Sequence, residues 1–397
     1  MSRILTSLPF KLILAITLGI FLGQAVDEPV MKVAITLKYI LGQIIIFCVP
    51  LIIIGFIAPS ITKLGKNASK VLFIAVSIAY VSSVGAAVLS MTAGYIIIPM
   101  LSIVTNPAGL QELPDLVFKL SIPQIMPVMS ALFLSILVGL SAAWTKAEAM
   151  TKLLDEFQAM VLKIVVKVII PLLPFFIGLT FMVLSYEGSI TTQFFVFLKI
   201  IAIVLIGHFI WLFVLYSMAG VYSGKNPIEV IKHYLPAYLT AVGTMSSAAT
   251  LAVALDSANK SSVLRKDMVS FGIPLFANIH LCGSVLTEVF FVMAVSQILY
   301  GAIPPLSMMI IFCFLLAVFA IGAPGVPGGT VMASLGLISG FLGFDETGVA
   351  LMLTIFALQD SFGTACNITG DGALTLAMTG YADKHDIKDK IDIIEMG

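Results

Sequence analysis

Glu288, Asp360 and Asp371 lie in stretches that are otherwise almost wholly apolar, and between Lys266 and Lys384 the sequence contains no lysine or arginine. A carboxylate at the centre of a bilayer costs about 3 kcal/mol even on the lenient insertion scale. Each of the three therefore needs a proton, a water-filled cavity or a bound cation. That is the chemistry of a cation-coupled site. Asp360 and Asp371 stand about three helical turns apart, near one face, with Thr364 and Asn367 between them at three- and four-residue steps. Read as a helix, the four residues form one polar stripe turned inward. Helix–helix hydrogen bonding accounts equally well for Thr364 and Asn367, but two aspartates without basic partners ask for more. A paired-carboxylate enzyme does not fit, because a dyad must share a proton and three turns are about 16 Å of rise.

Composition decides what must hold these residues. The chain has 397 residues, 60% of them hydrophobic and 11% charged, with a mean hydropathy of +1.12. A soluble domain carries about 25% charged residues, so lipid has to cover the surface. With 21 basic and 21 acidic residues, the chain lacks the cationic excess that nucleic-acid binding requires. Cys48, Cys282, Cys313 and Cys366 sit in apolar stretches without CxxC spacing and read as buried small hydrophobes.

Six charge-poor stretches of the first half are long enough to cross a bilayer, at about 9–26, 37–62, 71–101, 124–144, 161–185 and 193–222. The first lacks a small-x-small cleavage site and is read as a retained helix. Arg3 and Lys11, then Lys63, Lys66 and Lys70, then Lys146 and Lys152, then Lys225 and Lys232 mark alternate connections, and the connections between them are acidic or neutral. The positive-inside bias puts both termini in the cytoplasm of a multi-pass cell (inner) membrane protein.

The second half does not divide into ordinary spans. Residues 234–258 are interrupted at Gly243-Thr244-Met245-Ser246-Ser247, and Lys260, Arg265 and Lys266 then return to the side that Lys232 left. A stretch that starts and ends on one side is a re-entrant hairpin. A helix over about 268–299 follows, broken near His280-Leu281-Cys282-Gly283-Ser284. Residues 303–343 carry Gly322-Ala323-Pro324-Gly325-Val326-Pro327-Gly328-Gly329 at their centre, a density of Pro and Gly that stops a helix. They read as a second hairpin, dipping in from outside. A last helix, about 347–381, takes the polar stripe to a basic tail with Lys384, Lys388 and Lys390. Hairpin plus helix thus occurs twice, with opposite orientation. Inverted repeats with interrupted helices mark secondary transporters, whose half-helix N-termini receive anionic groups and whose unwound carbonyls receive cations. The expected fold is an all-α polytopic membrane protein with eight transmembrane helices plus two re-entrant helical hairpins of opposite orientation. It divides into helices 1–6 over 1–222, a transport core over 223–381 and a cytoplasmic tail over 382–397.

Asn367-Ile368-Thr369-Gly370-Asp371-Gly372 reads as NxTGDG, while Thr244-Met245-Ser246-Ser247-Ala248-Ala249-Thr250-Leu251 and Gly325-Val326-Pro327-Gly328 sit at the two hairpin tips. On these residues the chain resembles the dicarboxylate/amino acid:cation symporters, a family of glutamate and neutral amino acid transporters. Leu358-Gln359-Asp360-Ser361 is similar to the serine/threonine-transporting branch. The resemblance implies a homotrimer in which the early helices form a scaffold. Helices 3 and 6, both hairpins and the last two helices would form a transport domain moving by an elevator mechanism. It implies that Ser247 and Asn367 hold a substrate α-carboxylate, with backbone near Ser246 and Val326, that Asp360 and Thr364 hold its ammonium, and that Ser284 and Gly363 border it. It further implies that Asp371 ligates sodium with carbonyls near Phe276, His280 and Asn367, and that a second sodium lies near Ile321, Ala323 and Asn278. No cofactor is implied beyond transported protons or sodium. The implied partners are a small-molecule amino acid, the lipid bilayer and copies of the same chain.

Three departures narrow this. Acidic-substrate members carry an arginine where Gly363 stands, and the basic residue sometimes found at the first tip is Met245 here. No guanidinium is left for a side-chain carboxylate, so a neutral amino acid is expected, small and hydroxylated or apolar. The family's NMDGT is His280-Leu281-Cys282-Gly283-Ser284 here, and only Ser82 and Ser83 remain of its third-helix partners, the tyrosine being displaced to Tyr80. A third sodium site is expected to be lost, because a hard cation wants oxygen ligands. Glu288 falls where proton-coupled relatives place their proton-carrying glutamate, with His280 as a second candidate. The expected function is amino acid symport coupled to protons, sodium or both. A glutamate, aspartate or dicarboxylate symporter and an ion-conducting channel are the alternatives.

Overall fold

The computed structural model describes residues 8–66, 70–101, 113–323, 325 and 327–387, and among them the regular structure is helical, with no strand. Val326 of the substrate site, and Arg3, Lys388 and Lys390 of the charge argument, lie outside the described residues. Among the described residues, six helical runs are long and apolar enough to cross a membrane: Glu28–Pro59, Val71–Leu101, Glu148–Glu187, Val196–Ser223, Lys266–Tyr300 and Glu346–Lys384. The chain is a multi-pass membrane protein.

The first half forms α1 (Leu8–Ala25), α2 (Glu28–Lys66), α3 (Lys70–Ile97), α4 (Val128–Trp144), α5 (Glu148–Ile164), α6 (Ile170–Glu187) and α7 (Ser189–Ser223). The expected span at 161–185 is the latter part of a longer run in which a π-helical turn, Val165–Ile169, joins α5 to α6. Glu148, Lys152, Asp155 and Glu156 on α5 hide that earlier start from a reading by charge-poor stretches.

After the single turn α8 (Ile228–Ile231), the second half consists of interrupted pairs: α9 (Leu235–Thr244) with α10 (Ser247–Asn259), α11 (Lys266–Ile279) with α12 (Cys282–Tyr300), and α13 (Leu306–Gly322) with α14 (Gly329–Gly336), before the long α15 (Glu346–Lys384). Each interruption has a local cause. Met245 ends α9 in the left-handed region at φ 54°, and Ser246 restarts the chain by accepting the Ala249 N–H on Oγ. His280 and Leu281 are drawn out of helical geometry between α11 and α12. Gly328, at φ 72°, begins α14 with a conformation that a side chain would strain. Asp345 caps α15 by accepting the Gly348 N–H at 2.8 Å.

α15 runs through the middle of the molecule against α12, α7, α9 and α11, while α3 packs on α12. The most apolar windows of Lys266–Tyr300 and Glu346–Lys384 are 94% and 83% buried, against 33% for Val71–Leu101, Glu148–Glu187 and Val196–Ser223. The outer helices therefore present their apolar side chains to lipid, and the two helices that carry Glu288, Asp360 and Asp371 form the protein interior.

Candidate functional site

The interrupted pairs meet. Ser246 Oγ donates to the Gly325 carbonyl at 2.7 Å, which joins the tip of the first helical pair to that of the second. Behind the tips lies a cavity of about 10 Å³, room for about one water. Its walls come from the first tip (Met245, Ser247), the α11–α12 break (Leu281, Ser284), the second pair (Gly325, Thr330) and the last helix (Asp360, Thr364, Asn367). Among the described residues, Asp360 is the one acid in this lining and no lysine or arginine joins it.

Asp360 Oδ2 accepts the Gly328 N–H at 2.6 Å, which sets the carboxylate at the start of α14. The positive end of a helix dipole favours a negative group there. Oδ1 has a long 3.5 Å contact from Thr364 Oγ1, leaving it capacity for another donor. Asn367 caps the neighbouring break. Its Oδ1 accepts the N–H groups of Gly283 and Ser284 at 2.7 and 3.2 Å, and its Nδ2 donates to Ser284 Oγ at 2.9 Å. One amide hydrogen of Asn367 remains for a ligand. Gly283 permits this join, because a Cβ there would lie 2.5 Å from the Gly363 carbonyl oxygen. Ser247 is buried in the first turn of α10, whose leading N–H groups lack partners within the helix.

Asp371 is engaged otherwise. Its Oδ1 lies 2.9 Å from His280 Nδ1, and His280 Nε2 lies 2.8 Å from Ser82 Oγ, with all three residues buried. Asp371 Oδ2 and Ser83 Oγ have no partner among the described residues. The residues whose backbone carbonyls are expected around sodium lie as follows. Asn278 is exposed and donates to the Pro274 carbonyl, and the Phe276 carbonyl accepts the His280 N–H at 2.8 Å. Ile321 and Ala323 stand at the end of α13.

Glu288 is fully buried on α12, and its Oε1 is hydrogen-bonded to Ser334 Oγ of α14, while Oε2 has no partner among the described residues. Ser334 Oγ is also 3.1 Å from the Val331 carbonyl. A hydroxyl has one hydrogen and two lone pairs. The pair therefore accommodates two states, a carboxylate accepting from Ser334, or a carboxylic acid donating to a Ser334 that donates on to Val331.

Residue type alone does not mark Leu281 and Thr330, whose place in the lining follows only from the folded break and the second interrupted pair. His208 is a further residue at the break that the sequence does not single out. His208 is buried and holds the Gly283 carbonyl and Thr287 Oγ1 through Nε2 at 3.0 and 2.9 Å, a contact that no local sequence signal announces.

Helix breaks that meet around one polar cavity inside a multi-pass membrane protein are the architecture of a secondary transporter. The sodium:dicarboxylate symporter family matches residues 8–381, and the chain belongs to that family. The neutral amino acid transporter B(0) of Macaca fascicularis is 25% identical over 191 residues, 48% of this chain and 35% of that protein. The transporter of the same name from Mus musculus is 27% identical over 212 residues, 52% of this chain and 38% of that protein. The aligned part of the chain spans little more than a third of the length of these relatives.

Proposed function

We propose that the chain is a symporter that imports a neutral amino acid together with a proton. The observation that carries this reading is the cavity lining, with one carboxylate, Asp360, and no cationic side chain among the described residues. An α-amino acid brings one ammonium and one carboxylate. Asp360 and Thr364 receive the ammonium. The α-carboxylate takes the free amide hydrogen of Asn367 and the N-terminal N–H groups of α10 at Ser247, with backbone near Ser246 and Val326. Ser284 and Gly363 bound the substrate beside the break. A second substrate carboxylate would find no guanidinium, which argues against glutamate, aspartate and dicarboxylates.

Glu288 is the proton carrier in this reading. Among the described residues it has no ion-pair partner to hold it ionised, and its bond to Ser334 tolerates both protonation states. The co-ion then loads where α12 touches the second hairpin. One charge moving down about 100 mV supplies roughly 2.3 kcal/mol, an accumulation of about 50-fold. Sodium, the ion of the family's description, is the second reading for the co-ion.

The transport domain comprises α3, α7 and residues 223–381, with the other early helices of 1–222 as scaffold and 382–397 as a cytoplasmic tail. The packing of α3 on α12 and of α7 on α15 supports that division. Eight transmembrane helices and two re-entrant hairpins, a homotrimer in the cell (inner) membrane and cytoplasmic termini complete the proposal. Counterflow in proteoliposomes tests it. A symporter exchanges labelled for unlabelled neutral amino acid saturably, whereas substrate-independent conductance without counterflow would mean a channel.

A further inference from the structure

We propose that the imidazole of His280 takes, at Oδ1 of Asp371, the place that the family resemblance gives to a sodium ion, so that sodium does not bind Asp371 in this chain even though Oδ2 has no partner among the described residues. Oδ1 of the buried Asp371 lies 2.9 Å from His280 Nδ1. A ring nitrogen facing a carboxylate at that distance turns its hydrogen toward the oxygen, and a cation cannot approach the same lone pair. The ring is not free to swing aside. Its Nε2 is bonded to Ser82 Oγ of α3 at 2.8 Å, it has no solvent exposure, and Phe276 stands edge-on with ring centroids 6.5 Å apart.

Three neighbouring oxygens are engaged as well. The Asn367 amide oxygen accepts two backbone N–H groups. The Thr369 carbonyl accepts from Tyr216 Oη at 2.8 Å, and the Asp371 carbonyl accepts from Thr375 Oγ1 at 2.8 Å. A hard cation needs several oxygens free to turn toward it. Each of these three oxygens already accepts a hydrogen bond, Asp371 Oδ2 and Thr369 Oγ1 are without a partner among the described residues, and the nearest side chain supplies a nitrogen in place of the oxygen ligand such an ion prefers. What the arrangement suits is a tethered N–H donor linking α3 to α15.

The inference rests on the symport reading only in taking Asp371 as the family's co-ion carboxylate. Its test uses sodium alone, so a wrong substrate leaves the result intact. Purified full-length protein is melted at fixed pH in sodium chloride and in choline chloride of equal ionic strength. The expected result is a melting temperature without a sodium-specific rise, or with one that Asp371→Asn leaves unchanged because it arises elsewhere; Asp371→Ser serves if the asparagine variant does not fold. His280→Asn, which replaces the ring by a smaller group carrying an oxygen, is expected to gain a sodium-specific rise of about 2 °C or more. A wild-type sodium response abolished by the Asp371 substitution would overturn the inference, as would a folded His280→Asn that gains none.

Discussion

Asn367 of α15 and Ser284 at the start of α12 meet side chain to side chain at 2.9 Å, and the same amide takes the N–H groups of Gly283 and Ser284. A residue expected to bind substrate therefore also closes the fold around the site. Asn367→Ala leaves two buried N–H groups unpaired, each worth about 1–3 kcal/mol. Thermal unfolding in detergent should show a clear loss of stability as well as a loss of uptake, where a purely substrate-binding residue would lose uptake alone.

Asp360→Asn separates charge from structure at the neighbouring cap. The amide oxygen can still accept the Gly328 N–H, so the melting temperature should change little. The charge that receives an ammonium is gone, and uptake should fall by about 100-fold, the order expected when a charged hydrogen-bond partner is lost from a buried site. Parallel loss of folding and uptake would show that Asp360 is a cap and nothing more.

Glu288→Gln keeps a group that can bond to Ser334 but cannot carry a proton. Counterflow with equal amino acid on both sides should persist, while accumulation driven by an imposed pH gradient should disappear. A variant that still accumulates substrate on a pH gradient would remove Glu288 from the coupling path.

Gly363 faces the break closely, but a Cβ there would meet Ser284 atoms at an ordinary 3.5 Å. A Cβ at that position therefore fits without forcing the backbone apart, and the arginine of Gly363→Arg is expected to reach into the opened site. It should weaken neutral substrates by about tenfold or more and give acidic amino acids measurable uptake, because a guanidinium then pairs with their side-chain carboxylate. Competition assays with the two substrate classes check the change.

The helix breaks were legible in the sequence because Pro, Gly and polar residues clustered in an apolar stretch disfavour a continuous helix there. Met245-Ser246, His280-Leu281 and the segment around Gly328 all fall within such clusters. The missing bases between Lys266 and Lys384 likewise marked Glu288, Asp360 and Asp371 without reference to any fold. Which atoms face those acids was not legible. His280 lies 91 residues from Asp371 and 198 from Ser82, and no periodicity links them. Nor was it legible that the Asn278 amide donates to the Pro274 carbonyl. The start of α5 was missed because its charges belong to a helix that continues past the apolar window.

The central claim, that a neutral amino acid moves with a proton, is tested most directly by uptake into proteoliposomes from a panel of neutral and acidic amino acids, with sodium and pH gradients imposed separately. The account predicts that small neutral amino acids accumulate on an inward proton gradient without sodium. Uptake restricted to glutamate, aspartate or dicarboxylates, or uptake driven by sodium and indifferent to the pH gradient, would contradict it.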